Sequence, residues 1–214
     1  MNKLIIVGAG GFARETLQCA LQSKDNNVNW VISGFISDDL DVLNGIECSY
    51  KILGKVHGWQ PKADERFVIA IGSTVDKKRI ATELAVKGAI FVNVIHKSVT
   101  IFPNAKLGCG VILCPNVFVS DNAVIYDHVA INHSSGIGHD AQVGAYTTIS
   151  SFCDITGNVK VGESVFFGSS VSTIPKINIA NDSYVCAGSV VMNNLKPHSR
   201  VMGVPAKNFA IKKA

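Results

Sequence analysis

Two histidines and an aspartate near the middle of the chain have the types and spacing that proton-transfer chemistry uses. His133 and His139 stand six residues apart, and Asp140 directly follows the second. An imidazole can take up and release a proton near neutral pH, and a neighbouring carboxylate can orient it and stabilise its charged form. These residues could supply a general base. Solvated polar residues on a scaffold would look the same in isolation, so the elements that position them decide the prediction.

The surrounding tract, from residue 95 onward, repeats every six residues. An aliphatic residue recurs at nearly every step, and only Phe167 and Thr173 depart from this rule. The repeat positions are Ile95, Ile101, Leu107, Leu113, Val119, Ile125, Ile131, Ile137, Val143, Ile149, Ile155, Val161, Phe167, Thr173, Ile179, Val185 and Val191. This period is typical of a triangular coil in which three hexapeptides form a rung and neighbouring rungs bury each other's aliphatic residues. The sequence predicts an all-β left-handed parallel β-helix over residues 95–214.

The first part of the chain, residues 1–94, follows a different pattern of alternating strands and helices. Strands are predicted at "KLIIVGAG", "WVISGFISD", "RFVIAIG" and "AIFVNVI", and helices at "ARETLQCALQS" and "DKKRIATELAVKG". A β-α-β order predicts a parallel sheet, here an α/β Rossmann-like domain that is short for a complete dinucleotide fold.

The coil geometry gives His139 a predicted neighbour. Residues 18 apart stack one rung above the other, about 4.8 Å apart. His139 stands two residues after the inward Ile137, so its side chain should point outward near a corner, and Gly157 comes one rung later. A base beside an accessible backbone N–H suits acyl transfer, which needs proton removal and an oxyanion donor. We therefore predict His139, Asp140 and Gly157 as catalytic residues, with His133 on the neighbouring face.

A glycine-rich turn opens the first helix. "GAGGFARE" contains Gly8, Gly10 and Gly11, followed by Phe12 and by Ala13 where a third glycine would fall. A glycine turn after a strand and before a helix is the context of a phosphate-binding loop, although tight β-α turns also use glycine for packing. Taken alone, the turn would suggest NAD.

Further residues should line the same cleft. Asp38 and Asp39 follow the second strand at the spacing of an acidic ribose or base contact. Ile71 and Gly72 end the third clear strand, and ligands bind at the carboxyl ends of parallel strands. The short domain in front of a β-helix favours a nucleotide sugar over NAD as the ligand.

The composition and charge of the chain indicate which partners and which cell compartment to expect. The net charge of +4 is small and dispersed, which argues against nucleic acid as the main partner. Six cysteines without a C-x-x-C pair indicate reduced thiols in a cytoplasmic protein. No apolar run approaches the roughly 20 residues that span a bilayer, so membrane insertion is not expected.

Three stretches, "IGHDAQVG", "TGNVKVG" and "MGVPAKNF", resemble in this order the PglD- and NeuD-type sugar acyltransferases of the hexapeptide-repeat family. The resemblance covers essentially the whole chain. It implies acetyl-CoA-dependent N-acetylation of a nucleotide-linked amino sugar, with UDP as the expected carrier, for bacterial surface glycan biosynthesis. It implies a homotrimer, and we expect its active sites to be shared between subunits. In that family the histidine corresponding to His139 is the general base, Asp140 supports it, and Gly157 supplies the oxyanion amide. No metal is implied.

The same resemblance places acetyl-CoA near the end of the coil. The implied contacts are Ala187, Gly188, Val204, Pro205 and Lys207. Lys207 could pair with a phosphate, or it could be one of several solvated terminal lysines.

One departure from the family pattern concerns the acetyl group. Thr148 stands nine residues after the base, where family members often carry a second histidine near the thioester carbonyl. Its hydroxyl could donate a hydrogen bond there, directly or through water.

Three alternatives stay open at this point. An O-acetyltransferase of sialic acid or a related sugar would use the same site with a hydroxyl acceptor. A γ-type carbonic anhydrase would use the coil to hold zinc through His128, His133 and His139. A non-catalytic binder of nucleotide sugars would keep the scaffold without the chemistry.

Overall fold

A small α/β region comes first in the computed structural model, which describes residues 1–23 and 30–209. Its elements are β1 (Asn2–Val7), α1 (Gly11–Leu21), β2 (Trp30–Ile36), β3 (Ile52–Gly54), β4 (Glu65–Ile69) and α2 (Thr74–Val86). The four strands are parallel and lie in the order β3-β2-β1-β4. The carboxyl ends of β1, β2 and β4 therefore meet at one edge, where the glycine turn begins.

Local sequence explains both helices. The buried face of α1 consists of Ala13, Thr16, Leu17, Cys19 and Ala20, at helical spacing. The Ser73 hydroxyl accepts a hydrogen bond from the Asp76 amide and caps the N-terminus of α2. Gly88, with φ +85°, follows the C-terminus of α2, in the left-handed region where helices end on glycine.

The second part is a parallel β-helix of short strands. In chain order they are β5 (Val94–Ile95), β6 (Thr100–Ile101), β7 (Lys106–Leu107), β8 (Ile112–Leu113), β9 (Phe118–Val119), β10 (Val124–Ile125), β11 (Ala130–Ile131), β12 (Gly136–Ile137), β13 (Gln142–Val143), β14 (Thr148–Ile149), β15 (Asp154–Ile155), β16 (Lys160–Val161), β17 (Phe166–Phe167), β18 (Ser172–Thr173), β19 (Asn178–Ile179), β20 (Tyr184–Val185), β21 (Val190–Val191), β22 (Arg200–Met202) and β23 (Lys207–Asn208). Up to β21, successive strands turn onto successive faces, and every third strand returns to the same face one rung higher.

We call the three faces of the coil the first, second and third. The first contains β5, β8, β11, β14, β17, β20 and β22, with β23 added antiparallel at its end. The second contains β6, β9, β12, β15, β18 and β21, and the third contains β7, β10, β13, β16 and β19. The α/β region packs on the first face, where Ile112, Cys114 and Ala130 join the cluster formed by α1 and the sheet.

The hexapeptide pattern sets the core and the corners. The aliphatic residues at the repeat positions and the fully buried Phe167 form one continuous apolar cluster along the coil axis. Thr173 takes a repeat position as a buried polar residue and is 4% exposed. Positive φ values recur at every sixth residue from Asn116 to Asp182, which marks the corners. The predicted two-part architecture, an α/β region followed by a parallel β-helix, is confirmed.

The sheet differs from the sequence prediction in two places. β3 was not predicted, because three residues carry too little pattern to identify a strand. The strand expected over 89–95 does not form as one element: Phe91 makes an isolated parallel bridge to Phe67, and Val94–Ile95 already pairs with the coil. The Asn93 side chain donates to Gly108 O and accepts from Val111 N, which holds the end of this segment on the coil.

No helix within the described part of the chain is both long and apolar enough to cross a bilayer.

Candidate active site

The His139–Asp140 pair lies at the corner between the second and third faces. His139 Nδ1 is 2.7 Å from Asp140 Oδ2, and the two side chains are 63% and 45% exposed. Asp140 occupies the left-handed corner position, with φ 59°, which turns its carboxylate back toward the preceding ring. With its proton on Nδ1 donated to Asp140, the ring leaves Nε2 free to accept a proton.

The Asp140 carboxylate has two donors. The hydrogen bond from His139 is the main cause that holds the pKa of this carboxyl below its ordinary value. Asn122, one rung below, donates from Nδ2 to Asp140 Oδ1 over 3.3 Å and acts in the same direction. The carboxylate therefore stays ionised and fixed in place beside the imidazole.

Gly157 lies against the imidazole. A Cβ added at Gly157 would be 2.6 Å from His139 Nε2 and 2.8 Å from Cε1, so the ring packs directly on the glycine. No acceptor among the described residues takes the Gly157 amide proton. A free N–H beside a potential base is the arrangement that could stabilise an oxyanion.

The glycine turn forms an open N-terminus for α1. Gly8 has φ +99°, and a Cβ there would be 3.0 Å from Ala70 O, so this position requires glycine. Gly10 occupies the N-cap position without a side-chain cap, Gly11 begins the helix, and Phe12 packs partly buried against the adjacent core. Uncapped amides at the start of a helix can bind a phosphate.

Asp38 and Asp39 lie exposed beyond the end of β2. Asp38 Oδ1 accepts a hydrogen bond from the His57 amide at 2.9 Å, and Asp39 Oδ1 accepts one from the Asp41 amide at 3.0 Å. Ile71 and Gly72 follow β4 at the same edge of the sheet. The structure thus gathers these residues and the glycine turn at one edge of the α/β region.

Thr148 does not lie at the corner that holds His139. It faces outward from β14 on the first face, beneath the α/β region, and is 8% exposed. Its hydroxyl donates to Gly72 O at 3.0 Å and accepts from Lys77 Nζ at 2.7 Å. Because Thr148 donates this proton to Gly72, its hydroxyl links Gly72 to Lys77.

Lys77 is a fully buried amine in this contact. Its Nζ bonds to Thr147 O at 3.2 Å as well as to the Thr148 hydroxyl, and burial lowers its pKa to about 7. Two acceptors match the two N–H bonds of a neutral amine. Lys77 joins α2 to the coil next to Gly72.

The coil's C-terminal end holds the remaining predicted contacts. Ala187 and Gly188, with φ +69° at Gly188, form an exposed corner between the first and second faces. Val204 and Pro205 are exposed in the turn between β22 and β23, and Lys207 is exposed on β23. The predicted residues therefore lie on separate edges of a single chain.

The three candidate zinc ligands have different surroundings. His128 stacks on Tyr146 with ring centroids 5.4 Å apart, and His133 meets the Phe152 ring at 4.8 Å, edge to face. His139 bonds to Asp140. Across residues 1–23 and 30–209, no group of three or more His, Cys, Asp or Glu side chains is placed to hold a metal ion.

Sequence reasoning missed two supporting residues. Asn122 stands 18 residues before Asp140, so the stacking rule that found Gly157 could also have found it. Lys77 gave no signal, because a lysine in an amphipathic helix normally points to water and its partners are 70 and 71 residues away.

Comparison with known proteins agrees with this two-part architecture. Residues 3–84 match the family model described as the PglD N-terminal domain. Over 98% of this chain and 100% of the other, the structure matches the acetyltransferase domain of PglB from Neisseria gonorrhoeae FA1090, with TM-score 0.86 and 23% identity. WeeI from Acinetobacter baumannii AYE matches with TM-score 0.84 and 22% identity over 98% of this chain and 100% of that chain.

A third structure carries ligands. A histidine-to-asparagine variant of perosamine N-acetyltransferase from Caulobacter crescentus, in complex with CoA and GDP-perosamine, matches with TM-score 0.88 and 25% identity. The match covers 99% of this chain and 98% of that chain. The predicted resemblance to PglD- and NeuD-type hexapeptide-repeat sugar acyltransferases is confirmed in the N-terminal domain and in the whole fold.

Sequence relatives cover less of the chain. A Staphylococcus aureus (strain MRSA252) protein named as an acetyltransferase is 37% identical over 51 residues, which are 24% of this chain and 26% of the relative. The aligned part thus spans about a quarter of the length of the curated relatives.

Proposed function

We propose that this protein transfers an acetyl group from acetyl-CoA to the amino group of a nucleotide-linked sugar, for bacterial surface glycan biosynthesis. The observation that carries the proposal is the corner at His139, whose ring is oriented by Asp140 and packs against Gly157 with its free amide. The structural neighbour that is an N-acetyltransferase with CoA and GDP-perosamine supports the choice of substrates.

The residues at this corner can perform each step of direct transfer. The acceptor nitrogen attacks the thioester carbonyl carbon while His139 Nε2 takes the proton that the nitrogen loses. The negative charge on the carbonyl oxygen is stabilised by the Gly157 N–H. The C–S bond then breaks, the amide forms, and the proton held by His139 can neutralise the departing thiolate. Asp140 keeps the ring oriented and stabilises it while it is protonated.

The acceptor sites follow from the α/β region. The uncapped start of α1, with Gly8, Gly10 and Gly11, would hold phosphate groups of the nucleotide sugar. Asp38 and Asp39 would contact the nucleoside, and Phe12, Ile71 and Gly72 would line the cleft. UDP is the expected carrier, and GDP is the alternative that the Caulobacter neighbour suggests.

The separation of the predicted residues supports a homotrimer with shared sites. The His139 corner is exposed, and the proposed CoA contacts at Ala187, Gly188, Val204, Pro205 and Lys207 lie on other edges of the same chain. Packing of one coil against the next would bring the His139 corner of one subunit to the CoA-binding edge of another. Thr148 is left out of the proposed CoA site, because its hydroxyl is already bonded.

The decisive test measures free-thiol release from acetyl-CoA. UDP-, dTDP- and GDP-linked amino sugars are compared with their hydroxyl counterparts and with free sialic acid. Turnover with an amino sugar that falls by roughly two to four orders of magnitude in His139→Asn, without loss of thermal stability, supports the proposal. Turnover confined to hydroxyl acceptors would instead make the protein an O-acetyltransferase, and normal turnover in His139→Asn would reject His139 as the base.

A further inference from the structure

A cavity of about 340 Å³ lies between the first turn of α2 and the first face of the coil. One wall is formed by Ser73, Thr74 and Val75, which directly follow Gly72. Opposite this wall, Phe166, Tyr184 and Arg200 line the cavity from three successive strands. None of the lining residues belongs to the His139 corner or to the glycine turn of α1, and Ser73 directly follows Gly72 of the proposed nucleotide-sugar cleft.

Unpaired backbone donors line one wall. The helix α2 has 13 residues, and the Ser73 hydroxyl caps only the Asp76 amide. Among the described residues, no acceptor takes the amide protons of Thr74 and Val75. These two N–H groups carry the positive end of the helix dipole, which favours an anion.

An unpartnered hydroxyl lies in the same cavity. Ser164 lines it and is 4% exposed, and its Oγ has no hydrogen-bond partner among the described residues. Buried hydroxyls are nearly always paired in folded proteins. A ligand with acceptor oxygens would satisfy Ser164 and the two α2 amides together.

Arg200 adds a positively charged side chain to the cavity lining. Arg200 has no carboxylate partner among the described residues, and its guanidinium lies 5.8 Å from the centroid of the Tyr184 ring. Tyr184 stacks on Phe166 with ring centroids 4.9 Å apart, which gives this side of the cavity an aromatic surface. The acidic residue of the lining, Asp182, has its Oδ2 3.7 Å from His198 Nδ1.

We infer that the first turn of α2, Ser164 and Arg200 form a binding site for a phosphate-class oxyanion, such as a diphosphate. An arginine, a hydroxyl and helix N-terminal amides are donors that phosphate oxygens accept. The site as such does not depend on the proposed acetyl transfer. Under that function, the group could come from the nucleotide sugar or from CoA.

Titration calorimetry of the full-length protein with inorganic pyrophosphate at low ionic strength tests the inference. We expect saturable binding that weakens at least tenfold in Arg200→Gln and a few-fold in Ser164→Ala. The matched control is Arg79→Gln, which removes the same charge from an α2 residue outside the cavity lining and should bind pyrophosphate like the wild type. Thermal melting verifies that each variant is folded.

Two results would overturn the inference. One is wild-type binding strength in Arg200→Gln, which would assign the pyrophosphate to the glycine turn. The other is absence of saturable binding, or equal weakening in Arg79→Gln. Equal weakening would show that pyrophosphate binding responds only to the net charge of the protein. Competition shows which ligand supplies the phosphate group. UDP or GDP would displace pyrophosphate if the nucleotide sugar supplies it, and CoA would displace pyrophosphate if CoA supplies it. Because binding is read without turnover, a failure of the acetyl-transfer proposal would leave this result unchanged.

Discussion

Gly157→Ala is the sharpest test of how the coil builds the His139 corner. The added Cβ would be 2.6 Å from His139 Nε2, 2.8 Å from Cε1 and 3.0 Å from Cδ2. Ordinary contacts begin near 3.4 Å, so the ring must retreat by about 0.8 Å. Gly157 does not have a positive φ, so alanine brings no backbone strain.

The expected result is loss of activity with little loss of stability. A displacement of catalytic groups by about 1 Å can cost on the order of 100-fold in rate, so kcat should fall by about that factor. The imidazole is 63% exposed and can swing toward water, so the melting temperature should change by no more than about 2 °C. Thiol-release kinetics and thermal melting give the two readouts.

Gly136→Ala is the matched control on the second face. A Cβ at Gly136 would have Asp154 Oδ1 as its nearest neighbour, at an ordinary 3.7 Å. This variant should keep the wild-type kcat. Full activity in Gly157→Ala would refute the claim that the ring position beside Gly157 is needed, and equal losses in both variants would show that the effect is not specific to His139.

Three further predictions use the same assays. Asp140→Asn keeps a residue type that tolerates φ 59° but removes the carboxylate that orients the His139 ring. The kcat should therefore drop at least about tenfold, with an unchanged melting temperature. Unchanged kinetics would remove Asp140 from the mechanism. Burial lowers the pKa of Lys77 to about 7. Between about pH 7 and pH 10 the unfolded chain therefore binds more protons than the folded chain. The free energy of unfolding should rise with pH in this range, by on the order of 1 kcal/mol per pH unit. Denaturant unfolding at a series of pH values measures this rise. It should be absent in Lys77→Met and present in Lys78→Met, whose lysine is exposed. Parallel pH profiles for wild type and Lys77→Met would contradict the lowered pKa of Lys77. Ile149→Ala should destabilise the coil by about 2–5 kcal/mol, because Ile149 is fully buried and leaves a cavity, and a cost below about 1 kcal/mol would mean that the rungs can close over the gap.

The regular features of this protein follow from sequence because each depends on short-range order. A period of six requires a turn at every hexapeptide, and the buried repeat positions and recurring positive φ values are the direct result. The same period brings residues 18 apart together, so the contact between His139 and Gly157 could be worked out from their spacing alone. The glycine turn before α1 is equally local.

The tertiary structure decided what depends on contacts between distant parts of the chain. Thr148 stands nine residues after His139, a spacing at which a second catalytic residue is expected. The α/β region nevertheless covers this face of the coil, and the Thr148 hydroxyl bonds to Lys77 and Gly72. No local pattern predicts this, because the burial of a lysine is determined by the surface that another part of the chain places against it. The cavity around Ser164 and Arg200 has the same origin, since α2 and the coil each contribute only one side of it. Sequence determined the repeat and the placement of His139 beside Gly157, whereas the packing of the two parts determined which polar groups remain free to bind a ligand.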